Sequence, residues 1–375
     1  MRFSEGTFKN DEKAVYQLRE LYRQYGYARY KVSKFEEYDL YAHNKSFLIS
    51  ENILTFTDTN GKLMALKPDV TLSIVKNIDG EDRSTHKLFY NETVYRTSAG
   101  SDGFREIMQT GLECIGEIDL YSTCEVLMLA QKSLALIAED YILDLSHMGF
   151  LTGLLETAGL DDKNAAQILG YIGMKNTAAI LSFCKENAIE ETVANAICRL
   201  TELYAPLEDA LPIIEGLVVG DKMQDAYKEL DGIYSMMKAY GNPERLYLDF
   251  SMVNDMSYYN GVIFRGFLNG IPDGVLSGGR YDSLLQKMGK RSQAIGFAVY
   301  LNLLERLNVG AQTLDFDVLL TYDPQVSTDS VIKAVESLRK QGKSVRVHMG
   351  KTEGLRFLEQ IHLTENGMEV VSAND

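Results

Sequence analysis

The stretch LSGGRYDSLLQKMGKRSQAIGFA, residues 276–298, carries the most specific pattern in the chain. Its two adjacent glycines let a backbone come close to another group, and a short helix is predicted from Arg280 through residues 281–288. The apolar run 294–299 predicts a buried strand, followed by a helix that ends near residue 307. Taken alone, this pattern is better explained by a tight contact between a helix and a strand than by a ligand site.

Upstream, residues 63–77 read LMALKPDVTLSIVKN. Pro68 cannot continue a β-ladder, so a strand is predicted to end there and a helix to begin. Asp69 and Thr71 then lie at the helix N-terminus. One interpretation is a pair of capping residues, which is the better explanation of this stretch alone. The other is an acidic and hydroxyl pair that binds the ammonium group of a ligand.

Two further strands are predicted from LFYNETVYR, residues 88–96, and FREIMQTGLECIG, residues 104–116. A glycine-bearing loop, TSAGSDG, joins them. Gln109 and Glu113 fall on one strand face because side chains alternate with a period of two. Buried polar groups without partners are costly, so these two need a partner. A bound polar ligand and a salt bridge to Arg96 explain them equally well.

The tyrosine pair in MVNDMSYYNGVIF, residues 252–264, is a less specific signal. If this stretch is a strand, Tyr258 and Tyr259 point to opposite faces of the sheet. Most such pairs place one ring in the core and the other at its rim.

The order of strand and helix patterns predicts an α+β fold, with an antiparallel sheet flanked by helices. Helix-forming residues dominate 149–240, which predicts a helical insertion. After Gly310 a strand, a helix and another strand predict a small α/β domain. The predicted domains are a core of residues 1–148 and 241–308, an insertion of residues 149–240, and a C-terminal domain of residues 311–375. The predicted elements before the insertion are helices at 11–25 and 122–137 and strands at 47–49, 54–57, 63–66, 87–96, 107–115 and 142–145.

Composition excludes several classes of function. The net charge of −15 disfavours a nucleic-acid partner, because such partners are usually bound by a basic face. No run of about 18 apolar residues predicts a membrane span, and the N-terminus lacks the apolar core of a signal peptide. Four cysteines without CxxC spacing predict reduced thiols in a cytoplasmic protein. The five scattered histidines predict no metal site, and we expect no cofactor.

In this order and spacing, the quoted stretches resemble class II histidyl-tRNA synthetase and its paralogues over residues 1–308. TFTDTNGKLMALKPDVTLSIVKN resembles the entry to the family's histidine pocket, and the two strands with their loop resemble class II motif 2. SYYNGVIF and the opening stretch resemble the histidine-specific segment and the approach to motif 3. The resemblance implies the class II synthetase fold, with the helical region at the position of the family's insertion.

The resemblance also implies a ligand pocket for histidine. Asp69 and Thr71 would hold the ligand amino group together with Gln109 and Glu113. Arg96 would hold the carboxylate, and Tyr258 and Tyr259 would frame the imidazole. Lys67 and Asp69 stand where the family usually carries arginine and glutamate.

Departures from the family concern the groups that meet ATP. Asn254 stands in place of a catalytic arginine, and Leu303 in place of the motif 3 arginine. Tyr300 replaces a glycine that leaves room for the nucleotide, and the motif 2 loop lacks the residues that meet ATP and tRNA. An adenylyl transition state needs positioned cations, so we expect no catalytic residues in this chain.

A synthetase paralogue with an amino acid pocket and no ATP chemistry resembles the regulatory subunits of ATP phosphoribosyltransferase. This implies a short-form catalytic subunit as partner, activation of it, feedback inhibition by histidine, and a homodimer within a hetero-oligomer. Two alternatives remain. A divergent histidine–tRNA ligase would need Arg280 or Arg306 to replace the lost arginine. A synthetase-like sensor of tRNA or histidine would bind uncharged tRNA with a steep salt dependence.

Overall fold

A computed structural model of the chain describes residues 10–48, 52–78, 84–97, 103–253, 258–308, 314–349 and 355–373. The chain divides into two compact units. The larger comprises residues 9–307, and the smaller contains residues 308–375. Among the described residues, no helix is both long and apolar enough to cross a lipid bilayer.

The strands of the described residues are β1 (Ala28–Arg29), β2 (Phe35–Glu37), β3 (Thr55–Thr57), β4 (Leu63–Leu66), β5 (His86–Thr97), β6 (Phe104–Gly116), β7 (Tyr141–His147), β8 (Tyr204–Pro206), β9 (Leu246–Asp249), β10 (Val262–Leu268), β11 (Ile271–Arg280), β12 (Gln293–Tyr300), β13 (Phe316–Tyr322), β14 (Val345–His348), β15 (Phe357–Thr364) and β16 (Gly367–Ala373). Nine of them form the main sheet in the order β1-β5-β6-β12-β11-β10-β7-β9-β8. A three-stranded sheet, β2-β4-β3, belongs to the larger unit as well, and β14-β13-β15-β16 form the sheet of the smaller unit.

The α-helices are α1 (Asn10–Gln24), α2 (Tyr38–Ala42), α3 (Thr71–Asn77), α4 (Leu120–Ile137), α5 (Met148–Thr157), α6 (Asp162–Gly173), α7 (Thr177–Glu186), α8 (Glu191–Glu202), α9 (Leu207–Glu215), α10 (Asp221–Tyr240), α11 (Asp282–Lys287) and α12 (Thr328–Lys340). Short 3-10 helices span Lys45–Phe47, Pro243–Arg245 and Leu301–Asn308.

The predicted α+β class is confirmed. The main sheet is antiparallel except where β1 pairs with β5 and β7 pairs with β9. Its central strands bury Phe89 and Leu112, which are paired across β5 and β6, in one hydrophobic core with residues of α1 and α4. A second cluster, which includes Leu72, Tyr90 and Tyr281, packs around the candidate site. The site is therefore built on the middle of the sheet.

Helices α5–α10 fill the region predicted as a helical insertion. They share the hydrophobic core of the main sheet and lie in the larger unit. This region also supplies β8, which pairs with β9 at one edge of the sheet. The division of the chain into the predicted domains itself stays a prediction.

Several local predictions are wrong at element boundaries. Phe47 ends a 3-10 helix, whereas a strand was predicted at 47–49, of which residue 49 lies outside the described part. Arg280 ends β11 and does not begin a helix, because it still pairs with Ile295 of β12. At its other end, β11 starts as early as Ile271. A tight turn at Asn269 and Gly270 makes this early start possible, and Gly270 adopts a φ of 86° there. The smaller unit also contains β15 and β16, which periodicity did not predict.

The smaller unit has its own apolar cluster. Val318, Leu320, Ile361 and Leu363 from β13 and β15 pack with residues of α12. Its sheet combines parallel pairs around β13 with the antiparallel hairpin of β15 and β16. The predicted α/β character of residues 311–375 agrees with this arrangement.

Candidate functional site: a buried polar pocket

A cavity of about 270 Å³ opens over the middle of the main sheet. All seven side chains predicted to bind a ligand line it. They are Asp69, Thr71, Arg96, Gln109, Glu113, Tyr258 and Tyr259. The structure thus brings together residues from three separate stretches of the sequence, although their individual roles stay predictions.

Different elements position these side chains. Strands β5 and β6 supply Arg96, Gln109 and Glu113, and the start of α3 supplies Thr71. Tyr258 and Tyr259 lie in the connection before β10. Their rings meet edge to face, with centroids 4.7 Å apart. Because this connection is not a strand at the tyrosines, both rings line the same cavity, and the prediction that they face opposite sides of a sheet is wrong.

Glu113 is held at both of its oxygens. The Thr71 hydroxyl donates to Oε1 over 2.7 Å, and the Tyr281 hydroxyl donates to Oε2 over 2.6 Å. Burial raises the pKa of Glu113 to about 8, against the smaller opposing effect of these hydrogen bonds. A side chain at position 296 would collide with this carboxylate, which explains why glycine occupies it. The carboxyl group is fixed in place and can hold a proton at neutral pH.

Asp69 lies just before α3 and lines the cavity. Its Oδ1 accepts a hydrogen bond from Leu72 N over 2.8 Å, which caps α3. Its Oδ2 lies 3.8 Å from Nη2 of Arg96, whose Nε donates to the carbonyl of Pro68 over 2.7 Å. Burial raises the pKa of Asp69 more than Arg96 lowers it. Arg96 is thus paired with Asp69. Among the described residues, it forms no salt bridge with Glu113, which was the alternative.

Gln109 is buried, with 2% of its surface exposed. Its side chain lines the cavity. Tyr300, its neighbour across β6 and β12, lines the cavity beside it. Together with Asp69, Arg96 and Glu113, this amide gives the cavity wall a polar character that suits a ligand with polar groups. Two carboxyl groups, a guanidinium and an amide match the ammonium and carboxylate of an amino acid.

Other lining residues escaped the sequence reasoning. Tyr90 and Tyr281 are buried aromatic residues of the cavity wall, and Phe47 and Leu48 close it from the segment before β3. Tyr281 belongs to the SGGRYD stretch. The two adjacent glycines of this stretch were the sequence signal that another group comes close to the backbone here. Phe47 was taken for part of a strand, so no pattern pointed to it.

The positions expected to meet ATP provide little positive charge. Asn254 and residues 98–102 of the motif 2 loop lie outside the described residues. Leu303 packs against the hydrophobic core, while Arg280 pairs with Asp282 over 2.8 Å. Arg306 pairs with Asp273 over 2.6 Å on the surface. Of the described residues, Arg96 is the one cationic side chain that lines the cavity.

None of the four cysteines lines the cavity. All four cysteines are free thiols, and three of them are buried. Within the described ranges, no three His, Cys, Asp or Glu side chains are grouped as a metal site requires.

Comparison with known proteins shows which family the chain resembles in sequence and structure. The histidyl-tRNA synthetase family model matches residues 3–304. An ATP phosphoribosyltransferase regulatory subunit from Caldanaerobacter subterraneus is 31% identical over 89% of this chain and 89% of its own length. A solved structure from Bacillus halodurans, described as an ATP phosphoribosyltransferase regulatory subunit/histidyl-tRNA synthetase, superposes with a TM-score of 0.76 at 23% identity, covering 97% of both chains. A chain from an ATP phosphoribosyl transferase complex of Thermotoga maritima gives a TM-score of 0.62 at 21% identity, over 78% of this chain and 97% of that one.

Proposed function

The chain belongs to the family of ATP phosphoribosyltransferase regulatory subunits, which shares the histidyl-tRNA synthetase fold, and from this we propose that it activates a separate short-form catalytic subunit and transmits inhibition by histidine. The catalytic subunit would condense ATP with phosphoribosyl pyrophosphate, the first step of histidine biosynthesis. The observation that carries the proposal is a buried pocket with the polar groups for an amino acid and one cation among its described lining residues.

Histidine is the proposed ligand. Its carboxylate would pair with Arg96, and its ammonium would lie among Asp69, Thr71, Gln109 and Glu113. The aromatic rings of Tyr258 and Tyr259 would pack against the imidazole. The volume of about 270 Å³ and a lining with groups of both charges support a small zwitterionic ligand.

The proposal assigns no aminoacylation chemistry to this pocket. Adenylate formation develops negative charge on phosphate, which needs positioned cations. Arg280 and Arg306, the candidates to supply such a cation, are each paired with an aspartate outside the cavity. Tyr300 stands where the resemblance implies a glycine that leaves room for the nucleotide, and its side chain lines the cavity beside Gln109. These contacts favour a regulatory role over a divergent histidine–tRNA ligase.

We propose that the chain acts as a homodimer within a hetero-oligomer in the cytoplasm. The solved Thermotoga maritima relative is one chain of a complex, which supports an assembly with a catalytic partner. Free buried thiols support a reducing compartment. Mass measurement of the chain alone and mixed with a catalytic subunit would give the stoichiometry, and a monomer in both samples would contradict the proposed assembly.

The decisive experiment measures phosphoribosyl-ATP formation by a short-form catalytic subunit, with and without this chain, across a histidine titration. We expect activation by the chain and loss of that activation as histidine rises. A matched measurement of histidine-dependent exchange between ATP and pyrophosphate should give no signal. Exchange by a folded sample, or absence of any effect on a folded catalytic subunit, would overturn the proposed function.

A further inference from the structure

Asp282 is the first residue of α11, and it is buried, with 6% of its surface exposed. An aspartate at this position of a helix commonly interacts with the positive end of the helix dipole. Here both carboxylate oxygens are bonded to groups outside the helix. Oδ1 accepts from Ala294 N of β12 over 2.9 Å, and Oδ2 accepts from Nε of Arg280, the last residue of β11, over 2.8 Å. The side chain therefore connects the start of α11 to two strands of the main sheet.

The backbone amide of Asp282 forms a third connection. It donates to Oδ1 of Asn260 over 2.8 Å, and Asn260 N donates to the carbonyl of Arg280 over 2.9 Å. Asn260 directly follows Tyr258 and Tyr259 in the chain. Asp282 and Arg280 thus hold the residue next to the two tyrosines of the cavity wall.

The tyrosine rings pack on the same end of β11. A Cβ at Gly279 would lie 2.7 Å from Cδ1 of Tyr259, so this ring lies directly against the strand. Tyr258 meets the ring of Tyr259, and its centroid lies 5.6 Å from that of Tyr281. The three rings therefore form one group that is supported by the junction of β11 and α11.

Tyr281 lies between the two residues of the ion pair. Its N donates to the carbonyl of Ala294 over 2.9 Å, and its hydroxyl donates to Glu113 over 2.6 Å. The described lining of the cavity includes Tyr281 but neither Arg280 nor Asp282. The ion pair thus fixes the backbone on both sides of a ring that belongs to the cavity wall.

We propose that Asp282 is a positioning residue for the pocket. Its three bonds hold Tyr281 on Glu113, and they support the adjoining pair of Tyr258 and Tyr259 at the cavity wall. Asp282 itself would not touch the ligand, so its loss would act through the position of the tyrosines. This inference rests on the proposed binding of histidine, and it gives the SGGRYD stretch a role in ligand affinity.

Three variants test separate parts of this arrangement. In Asp282→Asn, the amide oxygen can accept from Ala294 N or from Arg280, but the amide nitrogen can accept from neither. Tyr281→Phe removes the hydroxyl and leaves the ring. Asn260→Ala removes the acceptor for Asp282 N at an exposed position, so it tests the inference even if Asp282→Asn does not fold.

Asp140 provides a matched control at the other end of β11. Its Oδ1 accepts from Arg245 over 3.2 Å, and its Oδ2 accepts over 3.0 Å from Asn269, in the turn between β10 and β11. Asp140 therefore also joins separate stretches of the chain, but none of these three residues belongs to the described lining of the cavity. Because Asp140 is more exposed than Asp282, the Tm of every variant is measured as well.

The pH dependence of the Kd separates positioning from a general loosening of the fold. The hydrogen bond from Tyr281 lowers the pKa of Glu113, so its loss raises that pKa. A ligand ammonium favours the carboxylate, so the variant binds more weakly wherever its Glu113 is still protonated, and the penalty disappears once Glu113 is ionised in both chains. The titration of the ligand itself cancels in the ratio of the two Kd values. The other charged or titratable residues that face Glu113 or line the cavity with it are unchanged in these variants: Asp69, Tyr90, Arg96, Tyr258, Tyr259 and Tyr300.

The test measures the Kd of histidine by calorimetry for the full chain and each variant between pH 7 and 9. We expect Asp282→Asn to raise the Kd about 5-fold at pH 7, a size typical of coupling within one hydrogen-bond network, and about 2-fold at pH 9. Tyr281→Phe should raise it about 10-fold at pH 7 and show the same fall in the ratio. Asn260→Ala should raise it about 3-fold at every pH, because it leaves the hydroxyl of Tyr281 in place. Asp140→Asn should bind within about 2-fold of the parent.

Several results would overturn the inference while the parent chain binds histidine, and they would leave the proposed function intact. One is an unchanged Kd in Asp282→Asn or in Asn260→Ala. Another is a lower Tm of Asp282→Asn with a Kd ratio that does not change with pH, which would assign the effect to general loosening. An equal loss of affinity in Asp140→Asn would have the same meaning. A folded parent chain that does not bind histidine would instead remove the proposed ligand and this inference with it.

Discussion

Gln109 can separate a ligand-binding role from a structural one because its buried side chain lines the cavity from β6. Gln109→Leu preserves much of the volume and removes the polar group. We expect the Tm to stay equal or rise, since the side chain lines the cavity, and the Kd of histidine to increase by about 10-fold, the effect of a hydrogen bond to a charged group. Thermal unfolding and calorimetry measure both. A lower Tm with unchanged affinity would instead show that the amide supports the fold.

The raised pKa of Glu113 predicts that ligand binding depends on pH. Its pKa of about 8 lies above the ordinary value of 4.5, so the folded, empty chain holds a proton that the unfolded chain releases earlier. This group therefore lowers the free energy of unfolding as pH rises from about 4.5 to 8. A ligand ammonium favours the carboxylate, so histidine binding should release a proton below pH 8. The Kd should fall by up to about 10-fold per pH unit between pH 6.5 and 8.

The control for this pH dependence is Glu113→Gln, which cannot ionise. Its amide oxygen can accept from one of the two hydroxyls of Thr71 and Tyr281, and its amide nitrogen can donate to the other. The Kd of histidine for this variant should be higher than for the parent at pH 8 and should change little over the same pH range. The imidazole of the ligand titrates equally in both experiments and cancels in the comparison. An identical slope for parent and variant would assign the proton to another group.

Helix α3 begins two residues after Asp69, whose side chain lines the cavity. Its Oδ1 accepts from Leu72 N and caps the helix, and its Oδ2 lies 3.8 Å from Nη2 of Arg96. Asp69→Asn retains an oxygen for the cap and removes the charge, so we expect a Tm close to that of the parent and weaker histidine binding. Asp69→Ala removes both, and the lost cap should lower the free energy of unfolding by about 1 kcal/mol. Denaturant unfolding and calorimetry of the two variants distinguish the roles.

The outcome that counts against the ligand role is equal histidine affinity in the parent and in Asp69→Asn. In that case Asp69 would be a capping residue only, which was the better explanation of its stretch of sequence considered alone.

Strands and helices that depend on residues close together in the chain were predictable from the sequence. Alternating side chains gave β5 and β6, and Pro68 correctly marked the end of β4 and the start of α3 nearby. Tyr281 could not be placed in the site because its contact with Glu113 spans 168 positions of the chain. The sequence around Tyr258 and Tyr259 did not show that both rings face one cavity, although Asn260 and Gly261 directly after them form a turn signal. The cavity depends on such contacts between distant residues, so its lining was predictable only through the family resemblance.

At the scale of the molecule, the chain combines two units with separate apolar clusters. The synthetase family model ends at residue 304, close to the boundary between the units. All the residues that line the cavity lie in the larger unit. The candidate site, as far as the described residues define it, therefore belongs to the larger unit.

Removal of residues 308–375 should leave the histidine site intact, because the pocket and its surrounding cluster lie entirely within residues 9–307. We expect the truncated chain to bind histidine with a Kd within about 2-fold of the full chain, and histidine at 100 times its Kd to stabilise the truncated chain by about 2.7 kcal/mol. Calorimetry and ligand-dependent thermal unfolding measure these effects. Gln109→Leu in the truncated chain is the control, and its stabilisation should be reduced at equal histidine concentration. A truncated chain that unfolds cooperatively but binds no histidine would mean that the smaller unit completes the site.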